Sequence, residues 1–173
     1  MIRRATHEDI DSIMAIVRSA QLSLAELGID QWQDGYPERE VILADIDQGI
    51  GYVECDERDV PQGYVAIVFD GEPAYEQIAA TDWHTANQYV VVHRICVLDG
   101  ARRRGTALRL MRYAADLAMQ MDIYAMRIDT HEGNVRMLAM LIKLGFEYCG
   151  KVIYAQSGER VAYDRNFSLD NKL

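Results

Sequence analysis

Apolar residues along this chain recur in two rhythms, one of about 3.6 residues and one of two, and the alternation between them lays out the fold. Ile2 to Ala5 reads as a short strand. Thr6-His7-Glu8-Asp9 reads as a helix start, with Thr6 as cap and an acid three residues on. Ile10, Ile13, Met14, Val17 and Leu24 then mark one face of a helix, and Gly28 stops it. Trp32 and Tyr36 follow in an irregular stretch. Pro37 opens a second helix at its first turn, lined by Val41, Ile42 and Ile46 and ended by Gly49 and Gly51.

The two-residue rhythm then takes over. Gly51 to Glu54 and Gln62 to Phe69 read as strands joined by a polar turn from Asp56 to Pro61. Residues 70–88 are weakly patterned and predict a long loop with one helical turn. Tyr89 to Leu98 is β-branched and nearly continuous, as in a strand buried on both faces. Gly105 to Met121 is a helix carrying Ala107, Leu110, Met111, Ala114, Leu117, Ala118 and Met121 inward. Ala125 to Thr130 is a strand. Asn134 to Leu144 is a short helix with Leu138, Leu141 and Leu144 inward, closed by Gly145. Phe146 to Tyr154 and Arg160 to Phe167 form two last strands around a Ser157-Gly158 turn. The order β-α-α-β-β-β-α-β-α-β-β predicts an α/β (α+β) chain with a mixed sheet and helices on both faces.

Bulk properties narrow the class. A length of 173 residues suits one domain spanning 1–173. The net charge of −9, from 27 acidic and 18 basic residues, argues against nucleic acid or anionic lipid as partner. Five of the arginines fall together at Arg102, Arg103, Arg104, Arg109 and Arg112, which marks a local anion site on an acidic protein. Cys55, Cys96 and Cys149 form neither a disulfide framework nor a metal-ligand pattern. Without an apolar leader or a run near the ~18 apolar residues of a membrane span, the expectation is a reduced, cytoplasmic protein with no membrane partner.

One segment carries chemistry: Arg94-Ile95-Cys96-Val97-Leu98-Asp99-Gly100-Ala101-Arg102-Arg103-Arg104-Gly105-Thr106-Ala107. A buried strand leads through a tight turn and three arginines into the longest predicted helix. The first N–H groups of that helix have no intrahelical acceptor, and its dipole adds positive charge at the same end. Gly105 and the small Ala107 let an anion approach the backbone. Together these features build a cradle for a diphosphate. No Gly-x-Gly-x-x-Gly and no Gly-Lys-Ser/Thr is present, which excludes the common dinucleotide turn and the P-loop.

Arg102-x-x-Gly105-x-Ala107 resembles the pyrophosphate signature of the GNAT superfamily of N-acetyltransferases. Ile95-x-Val97 resembles that family's cofactor strand, and Asn134 followed by Gly145-Phe146 resembles its second cofactor motif. The resemblance implies a mostly antiparallel sheet of six to seven strands and acetyl-CoA (coenzyme A) as cofactor. In that family the sheet splays between the strands that correspond to 89–98 and 125–130. By resemblance, residues 102–107, Arg103, Arg104 and Thr106 among them, hold the pyrophosphate. Pantetheine pairs with Ile95 to Val97, a backbone N–H near Cys96 or Val97 polarises the thioester carbonyl, and Asn134 contacts the pantetheine arm or thiol end.

The implied reaction is direct attack of a primary amine on the thioester in a ternary complex. A general base is needed because most amines are protonated at pH 7. His93, two residues before Ile95, is the first candidate base, and Glu132 and His131 are weaker ones. Many members carry a proton-donating tyrosine seven residues after the Asn. Here that position is Leu141, with Tyr148, Tyr154 or a water as substitutes, and a non-catalytic acyl-CoA-binding sensor is the alternative reading. Cys96 reads as a small buried hydrophobe rather than a nucleophile. The acceptor, a small-molecule or peptide amine, is expected at Trp32 and Tyr36 with Asp34, and more loosely at Tyr75, Trp83 and His84 of the 70–88 loop. A homodimer is compatible with the resemblance.

Overall fold

The structure is a computed structural model, and it describes residues 1–85, 88–155, 158–168 and 173. Seven strands and four α-helices follow one another in the predicted order: β1 (Ile2–Arg4), α1 (Ile10–Glu26), α2 (Arg39–Asp47), β2 (Gly51–Cys55), β3 (Pro61–Val68), β4 (Val90–Val97), α3 (Thr106–Met119), β5 (Ala125–Thr130), α4 (Val135–Lys143), β6 (Glu147–Tyr154) and β7 (Gly158–Asn166). Hydrogen bonding links the strands as β1-β2-β3-β4-β5-β7-β6. The pairs β1/β2, β2/β3, β5/β7 and β6/β7 are antiparallel and β4/β5 is parallel, so the sheet is mixed and mostly antiparallel, with seven strands.

The chain divides into two compact units, each assembled from two stretches: Met1–Ile67 with His93–Tyr113, and Val68–Val92 with Ala114–Leu173. The first unit holds α1, α2, β1 to β3, the second half of β4 and the start of α3. Its core collects Ile10, Ile13, Ile16, Val17, Ile42, Ile46, Val53, Tyr64 and Cys96. The second unit holds the first half of β4, β5, the end of α3, α4, β6 and β7. It includes a core of Tyr75, Ile78, Trp83, Val91, Cys149, Val152 and Ala162.

Local chemistry sets the element ends. The Asp9 carboxylate accepts the Thr6 backbone N–H at 2.8 Å and the Thr6 hydroxyl at 3.0 Å, so the predicted start box forms around a short 3-10 turn, and α1 begins at Ile10. Gly28, at φ 72°, ends α1 with Ile29 N–H returning to the Leu24 carbonyl at 3.4 Å. Pro37 does not open α2. Glu38 still has extended φ and ψ, so the helix starts at Arg39. Gly51 belongs to β2 rather than to the end of α2. The 70–88 loop contains two 3-10 turns, Pro73–Gln77 and Ala80–Asp82, where one helical turn was expected; residues 86 and 87 lie outside the described residues.

Two further expectations change. Met121 is exposed, because α3 ends at Met119 and Met121 falls in the turn that follows. β4 is not buried throughout: Val90, Val91 and Val92 are, while His93, Arg94 and Ile95 are half-buried. Of the expected Ser157-Gly158 turn, Ser157 lies outside the described residues and Gly158 begins β7 at φ 77°.

Candidate functional site

The interruption in β4 is a single residue. Arg94 takes φ 54° inside the strand, a left-handed conformation that a non-glycine residue adopts only at a cost. The surroundings hold it there. The Arg94 guanidinium donates two bonds to Asp45, from Nε to Oδ2 at 2.8 Å and from Nη2 to Oδ1 at 2.7 Å. Its Nη1 donates to the Tyr36 hydroxyl oxygen at 2.8 Å. The Tyr64 hydroxyl donates to the same Asp45 at 2.7 Å. Asp45 and Tyr64 are buried, so this is an ion pair out of water with its lone pairs met, the arrangement in which such a pair is strong and its disruption costly. Burial, then the Asp45 charge, push the Tyr64 phenol far above its ordinary range.

A left-handed residue removes the strict two-residue alternation of a strand. His93 and Ile95, expected on one face, sit on either side of that break. Past it, alternation resumes: Ile95 and Val97 are half-buried while Cys96 is buried in the core of the first unit. Complete burial pushes the Cys96 thiol up to about 12, so it is protonated at neutral pH. The Leu98 N–H donates to the Gln62 carbonyl of the chain beside it at 2.9 Å, which fixes the end of β4 against β3.

After β4 the chain makes a 3-10 turn over Asp99–Ala101, then a tight turn into α3 in which Arg103 has φ 60° and Gly105 φ 81°. The first helical bond of α3 runs from Arg109 N–H to the Gly105 carbonyl at 2.9 Å. The N–H groups of Gly105, Thr106, Ala107 and Leu108 therefore have no acceptor within the helix. At Gly63 of β3 an added Cβ would lie 2.6 Å from Thr106 Cγ2 and 3.3 Å from the Cys96 carbonyl, so this glycine lets the helix start sit close on the sheet.

The arginines of this turn separate into two groups. Arg102 pairs with Asp99 at 2.9 Å and donates to the Ser19 carbonyl at 3.1 Å, which ties the turn to α1. Arg109 meets Glu54 at 2.6 Å, the Arg104 carbonyl at 2.6 Å and Thr106 Oγ1 at 3.2 Å, and so braces the first turn of α3. Arg103 and Arg104 are exposed and form no ion pair among the described residues. A helix start with unspent N–H groups, a left-handed glycine and two uncommitted guanidiniums fit a diphosphate.

Other expected residues fall in the second unit. Asn134 caps α4: its Oδ1 accepts the Met137 N–H at 3.3 Å and its Nδ2 donates to Thr130 Oγ1 at 3.2 Å. His131 Nδ1 accepts the Gly133 N–H at 2.9 Å, and exposed Glu132 lies 3.5 Å from Lys151. Leu141 is fully buried, Tyr148 is exposed, and the Tyr154 hydroxyl donates to Asp129 at 2.9 Å. His84 Nδ1 lies 2.9 Å from Asp164, whose buried carboxylate also accepts the N–H groups of His84 at 2.7 Å and Thr85 at 2.8 Å. The bond to Asp164 raises the His84 pKa. Cys149 faces the same Nδ1, and mainly through burial its thiol is pushed up to about 12, so the trio is not a relay from nucleophile to base to acid. In the first unit, Trp32 and Tyr36 pack edge to face at 6.4 Å, with Tyr36 held on Arg94.

Residues that sequence reading passed over are Arg94, Asp45 and Asp129. Each left a trace: a charge inside the apolar run of β4, an acid at the inward spacing of Ile42 and Ile46, and an aspartate in a strand, where that residue is depleted.

Comparison with known proteins gives the family and the fold. Residues 14–146 match the model of the acetyltransferase (GNAT) family, which covers more than half of the chain, and the chain belongs to that family. Over 105 residues it is 30% identical to streptothricin acetyltransferase of Streptomyces lavendulae. The match covers 58% of this chain and 54% of the relative, so the chain spans about half the length of that curated relative. A GNAT-family acetyltransferase structure from Streptococcus agalactiae 2603 is 36% identical and superposes with a TM-score of 0.83, covering 97% of this chain and 95% of that one. One from Listeria monocytogenes 4b F2365, 20% identical with a TM-score of 0.72 over 96% and 94% of the two chains, shares the fold.

Proposed function

We propose that this chain is an N-acetyltransferase that uses acetyl-CoA and acetylates a primary amine by direct attack. The observation that carries the proposal is the start of α3, where four N–H groups without helical acceptors open at the left-handed Gly105 beside the uncommitted Arg103 and Arg104. These groups would hold the diphosphate, with Ile95 to Val97 of β4 along the pantetheine. When bound, acetyl-CoA supplies an acetyl group activated as a thioester.

The chain's own residues supply the rest. His93, half-buried on β4, takes the proton that the acceptor ammonium must lose before it can attack. The backbone beyond Arg94, fixed by the Asp45 ion pair, would offer an N–H to the carbonyl oxygen that gains charge during attack. Protonated, buried Cys96 argues against an acyl-enzyme. Leu141 cannot donate a proton, and Tyr154 spends its hydroxyl hydrogen on Asp129, which leaves Tyr148 or a water to protonate the departing thiolate. Trp32, Tyr36 and Asp34 offer aromatic faces and one acid to the acceptor.

The test is thiol release from acetyl-CoA over a panel of amines that includes streptothricin, alongside calorimetry of coenzyme A. His93→Ala is expected to lower kcat at least tenfold and leave coenzyme A affinity unchanged. Equal turnover in the two proteins removes His93 as base. Buried Leu141 favours one second reading, a sensor that binds acyl-CoA without turnover; tight cofactor binding with every amine untouched would establish it instead.

A further inference from the structure

Among the described residues of the second unit, one half-buried carboxylate forms no ion pair. Among the described residues, the four buried carboxylates each meet a positive or protonatable side chain: Asp9 meets Arg3, Asp45 meets Arg94, Glu54 meets Arg109 and Asp164 meets His84. Half-buried Asp129, in β5, differs. Among the described residues its hydrogen-bond partners are two neutral hydroxyls, Tyr75 and Tyr154, each donating to Oδ2 at 2.9 Å. Three separate segments converge there: the Pro73–Gln77 turn, β5 and β6.

Chemistry follows from which atoms are used. An oxygen that accepts two short bonds has little capacity left, so Oδ1 is the oxygen that meets a further donor. Buried Tyr75 keeps its proton, since burial and the Asp129 charge push its pKa well up, and it remains a donor. Other rings gather around Tyr75, which lies 5.2 Å from Trp83 and 6.3 Å from Tyr89. The one guanidinium in this aromatic cluster, Arg127, lies 3.9 Å from the Trp83 centroid and 3.8 Å from that of Tyr89, and donates to Thr85 Oγ1 at 3.1 Å.

We propose that Asp129, framed by Tyr75 and Tyr154, binds an alkylammonium group of the acceptor. An ammonium presents donors and no acceptor, and so matches one carboxylate oxygen beside aromatic faces. Anions are repelled, and neutral alcohols gain no charge-assisted bond. Naming the ligand as acceptor rests on the N-acetyltransferase reading; the binding of an alkylammonium does not.

The experiment titrates the full-length chain with 1,5-diaminopentane, and separately with 1,5-pentanediol, while amide resonances are followed by NMR with and without coenzyme A. Saturable shifts at residues 75, 129 and 154 are expected with the diamine and not with the diol. Asp129→Asn, which keeps the shape and can still accept from both phenols, is expected to weaken the diamine by about tenfold or more. Diamine and diol acting alike, no saturable shift in either state, or Asp129→Asn binding as well as the parent overturns the proposal. If the diamine binds at Asp129 while coenzyme A does not bind at all, the proposed function fails and the ammonium site stands.

Discussion

Gly105→Ala tests the cradle most directly, because the structure provides a matched control. Gly105 has φ 81°, and an added Cβ would lie 3.0 Å from Arg109 Nη1, the group that donates to the Arg104 carbonyl. Gly28 has φ 72° and nothing within 4 Å of its added Cβ. Both substitutions force a side chain into the left-handed region, which costs about 1–2 kcal/mol. Urea denaturation is therefore expected to show similar losses. At Gly105 alone the new methyl stands where an anion would approach the helix start, and it pushes on the guanidinium that braces the turn. Losing one charge-assisted bond of about 1.5–3 kcal/mol weakens binding by roughly 10- to 150-fold. Calorimetry with coenzyme A is thus expected to show a loss of that size for Gly105→Ala and none for Gly28→Ala. Equal affinities in the two variants would refute the claim that backbone amides at the start of α3 grip the diphosphate.

Other outcomes follow from the same geometry. Asp45→Ala strands the Arg94 guanidinium, with side-chain exposure of only 13%, and is expected to cost about 3–5 kcal/mol in urea denaturation; Tyr64→Phe removes one hydrogen bond and is expected to cost about 1 kcal/mol. Leu141→Tyr puts a phenol into a fully buried position. It is expected to lower stability by about 1–3 kcal/mol without raising turnover, and faster thiol release would show that this position still serves an acid. His84 has a raised folded pKa because it bonds Asp164, so its stabilisation is complete below the unfolded value of ~6.5 and fades as pH rises through the folded one. The parent should therefore lose stability between acid and mildly alkaline pH relative to His84→Gln, and parallel pH profiles for the two would contradict that.

Period and punctuation made most elements legible in the sequence. The order of strands and helices, the bounds of β5 and the glycine stop after α1 needed only spacing and local caps. The start of α3 was legible for the same reason, since a helix start is local and its N–H groups are left over by geometry. Element ends moved where a neighbouring residue held a different backbone shape, as Glu38 does before α2.

What spacing could not reach was every feature made by partners far apart in the chain. Asp45 and Arg94 are 49 residues apart, and Tyr75 and Asp129 are 54 apart. Counting arginines near Gly105 overstated the free charge, because Arg102 and Arg109 are spent on Asp99 and Glu54, one of them 55 residues away. The same limit affects His93: strict alternation put it on the face of Ile95, and one left-handed residue, stabilised by an acid from α2, interrupts that alternation. For Arg94 and Asp129 a charge inside a strand was the available warning. Burial of an ion demands a partner, so Arg94 within β4 already implied an acid from elsewhere. Asp129 within β5 implied a cation by the same rule, and the fold gives it two phenols instead. That difference is why the ammonium group of an acceptor, rather than a residue of this chain, is the partner assigned to Asp129.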